Sequence, residues 1–332
     1  MKLPVRIFLS LLYAALVLLT PFVVSSPNML EDAQWEMIEI MDAQEEGFLP
    51  FLIPAARAEE TTESLYSLPV DHSAGMKPNP ALFTESGYED ASIRVQMETR
   101  EENGLLWRIA WIEIASPTQL RTSYAGSTIK KDKTGYVSQM AKNQNAIVAM
   151  NGDNYSVDKA KHSFIYRNGE MRQAKLNKQK DILIIDELGD FHTFIKSKGA
   201  DSFEKDTGLK IMHAFMFGPA LVKEGQELKM DLNYNFNPNG RQPRSAIGQL
   251  DTLSYVLVIC DNEKGSDSVG ATHQEMAKFM AELGCREAYN LDGGNSSIMI
   301  YNNSAYNVKK QERDITDMIY FATAVPAEEW EQ

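Results

Sequence analysis

Cysteine is nearly absent. The 332-residue chain has two, Cys260 and Cys285, and no C-x-x-C pair, which removes the common zinc and redox signatures. They flank a helical segment, and the sequence alone leaves a disulfide and two buried thiols equally open. Histidine is scarce and scattered, at His72, His162, His192, His213 and His273. With no H-E-x-x-H and no close pair, zinc is disfavoured. Basic charge is in deficit: 33 Lys and Arg against 46 Asp and Glu give a net charge of −13. No basic run or aromatic-and-basic stripe occurs, so nucleic acid is not an expected partner. An acidic surface still permits a locally basic site. The acidic stretch 261–267 lacks calcium-loop spacing. Internal repeats and heptad runs are missing as well.

Long apolar runs are missing with one exception. Lys2 and Arg6 precede Ile7 to Val24, which is interrupted only by Ser10, Thr20 and Pro21. Residues 1–27 therefore read as a signal peptide or an N-terminal membrane anchor, near the ~18-residue boundary between the two. Basic residues ahead of the run place the remainder outside the cytoplasm, anchored or secreted. In 28–46, Trp35, Ile38 and Met41 fall near helical spacing, as in a short stalk helix. Residues 59–87, with Pro69, Pro78 and Pro80, read as a linker, so 28–87 is stalk plus linker.

What is present is a strand-rich segment. Hydrophobic residues make up 43% of the chain, enough for a packed core. Ile93, Val95 and Met97 alternate with polar residues. Leu105 to Ile114 is a nearly continuous apolar strand. Tyr136 to Lys142 suggests a short helix, and Ala146 to Met150 a buried strand. Hairpins are expected around Asn168-Gly169, around Gly189 and across Asp251-Thr252. Thr272 to Glu275 is a capping box opening a helix that Gly284 stops. Met318 to Val325 is a last strand. The expected class is α+β: strand-rich mixed sheets and a few helices, in one catalytic domain over 88–326 with a tail at 327–332.

Three polar clusters sit at strand ends. The first is Asn151-Gly152-Asp153-Asn154. The second is Arg241-Gln242-Pro243-Arg244-Ser245. The third is Asn290-Leu291-Asp292-Gly293-Gly294-Asn295-Ser296-Ser297. Gly293 and Gly294 can present successive backbone N–H groups to an anion. Ser296 and Ser297 add hydroxyls, and Arg241 and Arg244 offer planar forks matched to phosphate. Asp153 and Asp292 read as an acid/base pair, with Asn151 orienting it. They could equally hold a hard cation such as calcium or magnesium, or form turns that satisfy their own backbone. The sequence requires no cofactor. Residues 294–298 nearly match the serine-hydrolase elbow, but Ile298 stands where its second glycine belongs.

The ordered set Ala146 to Asp153, Phe217-Gly218-Pro219-Ala220-Leu221-Val222, Arg244 to Gly248, and Leu283-Gly284-Cys285 leading to Asp292-Gly293-Gly294 resembles the phosphodiester glycosidase family. The resemblance covers roughly 88–326. Asn295 stands where that family usually has a third glycine, and Asp153-Asn154 where it has a glycine-aromatic pair. The resemblance implies a hydrolase of sugar-1-phosphodiesters, with a carbohydrate phosphodiester as its partner. It also implies an exopolysaccharide or cell-envelope setting. The alternative is a non-catalytic glycan-binding envelope module on the same fold.

Overall fold

The computed structural model describes residues 66–126, 133–153, 164–234, 237–262, 268–307 and 311–330. The N-terminal apolar run and the expected stalk helix lie outside them. No helix among the described residues is long and apolar enough to cross a membrane.

The strands form where apolar and β-branched residues dominate, and tight turns join them. Ile93–Glu102 and Leu105–Ile114 pair across Asn103-Gly104, both at positive φ (53° and 72°), as a two-residue hairpin requires. Leu105–Ile114 then pairs with Ser254–Cys260, which pairs with Arg244–Asp251. Glu287–Leu291, Ala220–Lys223 and two short edge strands complete an eight-stranded sheet. A five-stranded sheet holds Phe164–Arg167, Ile182–Asp186 and Ile211–Phe215. Another holds Val148–Asn151, Met299–Tyr301, Asp317–Phe321 and Leu120–Tyr124. The α+β class expected from sequence holds. The sheets are less mixed than expected, because every ladder among the described residues is antiparallel.

One face of the large sheet buries Ile112, Ile247 and Leu257 against Met150, Ile319 and Phe321 of one small sheet and Leu183 and Phe215 of the other. Each such side chain contributes about 1.5–3 kcal/mol when fully buried. The opposite face packs Val256, Val258 and Ala288 against Met276, Ala277 and Met280 of the His273–Glu282 helix. A Cβ on Gly248 would lie 2.5 Å from Cys285 Sγ, so glycine there sets how closely that layer approaches. Cys260 and Cys285 are both buried and free.

The linker reading fails from Tyr66 onward. Leu68 is buried, Arg121 Nη1 donates to Pro69 O at 2.8 Å, and the Gly75 N–H donates to Gln144 O. The prolines there shape an extended strap laid on the domain, and Pro80 opens a 3-10 turn. The last strand is also shorter than expected, ending at Phe321, although residues through Val325 stay buried.

Candidate active site

The Val148–Asn151 strand delivers Asn151 and Asp153 to the end of its sheet. Asn151 is fully buried, and its amide joins the three polar clusters. Nδ2 donates to Asp292 O at 2.6 Å, and Oδ1 accepts from Ser245 Oγ (3.0 Å) and the Ile298 N–H (3.1 Å). The Asp292 N–H donates to Gly152 O at 3.3 Å, and the Gly294 N–H to Pro243 O at 2.8 Å. A Cβ on Gly293 would come within 2.9 Å of Pro243 O, so the turns approach too closely for a side chain there. Asn151 thus acts as a clamp between clusters, and its hydrogen bonds are not made to a carboxylate it would orient. With Pro243 O on the Gly294 N–H, the pair of glycine donors expected to face an anion is not presented as such.

Asp153 is 7% exposed, and its carboxyl accepts from the Met216 N–H at 3.2 and 3.0 Å. Arg167 Nη2 lies 3.7 Å away. Burial pushes this carboxyl up to about 6; the Arg167 charge opposes the shift and Asp317 reinforces it. Arg167 is held more tightly by Asp317, with Nη2 at 2.6 Å and Nε at 2.8 Å from Oδ2. It also donates to Tyr166 O and Ala214 O and lies 4.1 Å from the Phe215 ring centroid. A Cβ on Gly152 would meet Asp317 Oδ1 at 2.5 Å. Lys180 Nζ donates to Phe217 O at 3.0 Å and faces the Tyr234 ring at 4.7 Å. Burial pulls its ammonium down to about 8, while Asp153 and Asp181 pull it back. The sequence reading missed Arg167, Asp317 and Lys180. One signal was available: Arg167 ends an apolar strand, as Arg244 begins one.

Arg244 is 1% exposed. Its guanidinium donates to Ala271 O (3.0 Å), Asn237 O (2.7 Å) and Gly240 O (2.8 Å), and to His273 Nε2 (2.7 Å). The fork expected for phosphate is given to backbone carbonyls, and it clasps the 237–240 loop to the start of the last helix. Burial lowers its pKa to about 10. Arg241 is half exposed and donates to Gly270 O and Glu275. Asp292 is buried, at 7% exposure. Ser296 Oγ accepts from Arg313 Nη1 at 3.2 Å. Among the described residues no histidine bonds to Ser296, so the serine-elbow reading lacks its base.

Among the described residues no three His, Cys, Asp or Glu side chains converge as metal ligands would. The Arg167 cation beside Asp153 also suits a divalent ion at that carboxylate poorly. A cavity of about 410 Å³ opens elsewhere, beside Tyr124, Tyr136, Gln139 and Asn143, and neither Asp153 nor Asp292 lines it.

Fold and site together define an antiparallel α+β protein whose converging strand ends bury a carboxylate–arginine cluster. The family model for phosphodiester glycosidases matches residues 144–322, more than half of the chain, and the protein belongs to that family. The catalytic domain of zebrafish N-acetylglucosamine-1-phosphodiester alpha-N-acetylglucosaminidase, solved auto-inhibited by its pro-peptide, aligns with a TM-score of 0.54 at 15% identity. That match covers 75% of this chain and 86% of the other. A hypothetical protein from Synechocystis aligns with a TM-score of 0.51 at 15% identity, over 69% and 62% of the two chains. These likenesses show a shared fold. The SPbeta prophage-derived uncharacterized protein YomE of Bacillus subtilis is 33% identical over 85 residues, 26% of this chain and 13% of that protein's length.

Proposed function

We propose that the protein is an extracytoplasmic hydrolase of sugar-1-phosphodiesters, acting on glycosyl phosphodiesters of the cell envelope. Family membership supports the reaction class. The observation that carries it is Asp153, a buried carboxyl held at about 6 beside Arg167. Such a group keeps a proton into the range where it can pass it to a departing phosphate oxygen. We assign the reaction to two-carboxylate glycosidase chemistry. Water adds to the anomeric carbon as its bond to the phosphate oxygen breaks. Asp153 protonates that oxygen, and Asp292 takes the proton from water. The products are a free sugar and a phosphomonoester. The activity in the zebrafish enzyme's name makes an N-acetylglucosamine-1-phosphodiester the first substrate to try.

Turnover in ¹⁸O-water tests the proposal. Label in the sugar is expected, and label in the phosphate would overturn attack at carbon. No turnover, with retained affinity for envelope glycan, would leave a binding module. The compartment comes from the apolar run Ile7 to Val24 behind Lys2 and Arg6. Protease added to cells stripped of outer layers should degrade the domain, and full protection would refute that placement.

A further inference from the structure

His273, the first residue of the His273–Glu282 helix, carries a proton that nothing among the described residues receives. The ring is fully buried. Arg244 Nη1 lies 2.7 Å from its Nε2. A guanidinium only donates, so Nε2 must accept and the ring proton must sit on Nδ1. That Nδ1 is buried and has no hydrogen-bond partner among the described residues. The residue is held in place at two other points. Its backbone N–H donates to Pro238 O at 3.0 Å, and Thr272 caps the helix immediately before it. Burial, then the Arg244 and Lys180 charges, pull the imidazole down to about 3, so the ring stays neutral.

We propose that His273 Nδ1–H is a substrate donor that takes a non-bridging phosphoryl oxygen. The assignment rests on the function proposed above. The Arg244 guanidinium on the ring's other nitrogen lies against the Asp292-Gly293-Gly294 turn, with its Cδ 3.8 Å from where a Gly293 Cβ would stand. A buried donor beside that cation favours an anionic acceptor, and a neutral imidazole adds a hydrogen bond there without adding another positive charge. It acts by holding the phosphoryl group, and no proton leaves the ring.

Two substitutions separate the ring's two nitrogens. The amide of His273→Asn can donate from near the Nδ1 position. The amide of His273→Gln reaches toward Nε2 and keeps an acceptor for Arg244. Calorimetric titration of the full chain with inorganic phosphate reads the difference. His273→Asn should bind within about threefold of wild type and His273→Gln at least about tenfold more weakly, the size of one lost charge-assisted hydrogen bond. The reverse order would make the ring only a support for Arg244 and overturn the proposal. Equal binding by all three would assign Nδ1–H to a buried water and overturn it too. If neither variant folds, the wild-type Nδ1–H resonance decides by ¹⁵N NMR. A shift on adding phosphate supports the proposal, and an unmoved resonance refutes it. Phosphodiester turnover with an unmoved resonance would refute this assignment alone. Wild-type protein with neither turnover nor phosphate affinity would remove the proposed function along with it.

Discussion

Arg167 and Asp317 share a buried two-point ion pair, at 2.6 and 2.8 Å, directly beside Asp153. The guanidinium stands 3.7 Å from Asp153, so most of its compensation goes to Asp317. Asp153 is left buried, partly compensated and next to a second carboxylate. That division explains why burial prevails and its pKa rises. In Asp317→Asn the repelling charge is gone and Arg167 turns to Asp153. The pKa of Asp153 should fall, and the alkaline limb of kcat should move down by at least about one pH unit. A pH–rate profile checks this, and an unmoved limb would detach Asp153 from the rate.

Asp153→Asn should lower kcat at least about 100-fold, the low end for losing a general acid. Its stability should change in the opposite sense. The folded pKa, about 6, lies above the ordinary carboxyl value of 3.8. The native state therefore holds the extra proton in that window, and stability falls as pH rises from about 4 to 6. Above 6 the wild type carries the full cost, on the order of 2–3 kcal/mol. Urea unfolding at pH 7.5 should find the Asn variant more stable than wild type, and at pH 4 nearly equal to it.

Much of this was legible in the sequence. Leu105–Ile114 runs as expected because eight of its ten residues are apolar, β-branched or aromatic and leave little choice. Thr272 and Glu275 cap the helix reciprocally. The three polar clusters do meet. Other features leave no local pattern. Leu120–Tyr124 is buried throughout, yet its sequence, Leu-Arg-Thr-Ser-Tyr, reads as polar. Its Arg121 and Thr122 are satisfied by Pro69 O and Asn168 Oδ1 from distant segments. Arg167 and Asp317 are 150 positions apart, and no short-range spacing announces such a pair. The role of Arg244 was misjudged for a similar reason. The carbonyls that occupy it belong to loops, which hydrophobic patterning does not place.

Acid should destabilise the protein through two buried neutral histidines. Burial and Arg167 lower His213 to about 3; burial and Arg244 lower His273 to about 3. Both lie below the ordinary imidazole value of 6.5, so the unfolded chain binds more protons in between. Stability from these groups is present above 6.5 and lost as pH falls toward 3. From pH 7 to 5 they remove about 4 kcal/mol, of which Asp153 returns about 1. Chemical denaturation at the two pH values should show a net loss of about 2–3 kcal/mol. His213→Gln should flatten the dependence.

Asn151→Ala should cost stability before it costs catalysis. It strips partners from Ser245 Oγ, the Ile298 N–H and Asp292 O, all inside the fold. Each buried group left unsatisfied costs about 1–3 kcal/mol. A clear drop in Tm is expected, where Asp153→Asn should show none. An unchanged Tm would show that the three clusters hold together without the clamp.

Arg244 and Asp292 should separate cleanly, because the structure gives them different work. From sequence alone, Arg244 reads as a phosphate fork and Asp292 as one of an acid/base pair. The guanidinium instead joins Asn237 O and Gly240 O to Ala271 O and His273. Arg244→Ala removes four hydrogen bonds that tie three segments together and takes the Arg244 donor from buried His273, so a stability loss on the order of 3–5 kcal/mol is expected. Arg244→Lys should recover little, since one ammonium cannot span acceptors on three segments at fixed angles. Asp292→Asn removes a charge while leaving the backbone bonds to Gly152 O and Asn151 in place. It should fold like wild type and lose at least about 100-fold in kcat. Urea titration beside turnover on a sugar-1-phosphodiester reads both axes at once. A stable Arg244→Lys protein with turnover lost would return Arg244 to the substrate. A folded Asp292→Asn protein with near-normal turnover would reduce the Asp292-Gly293-Gly294 turn to a structural corner.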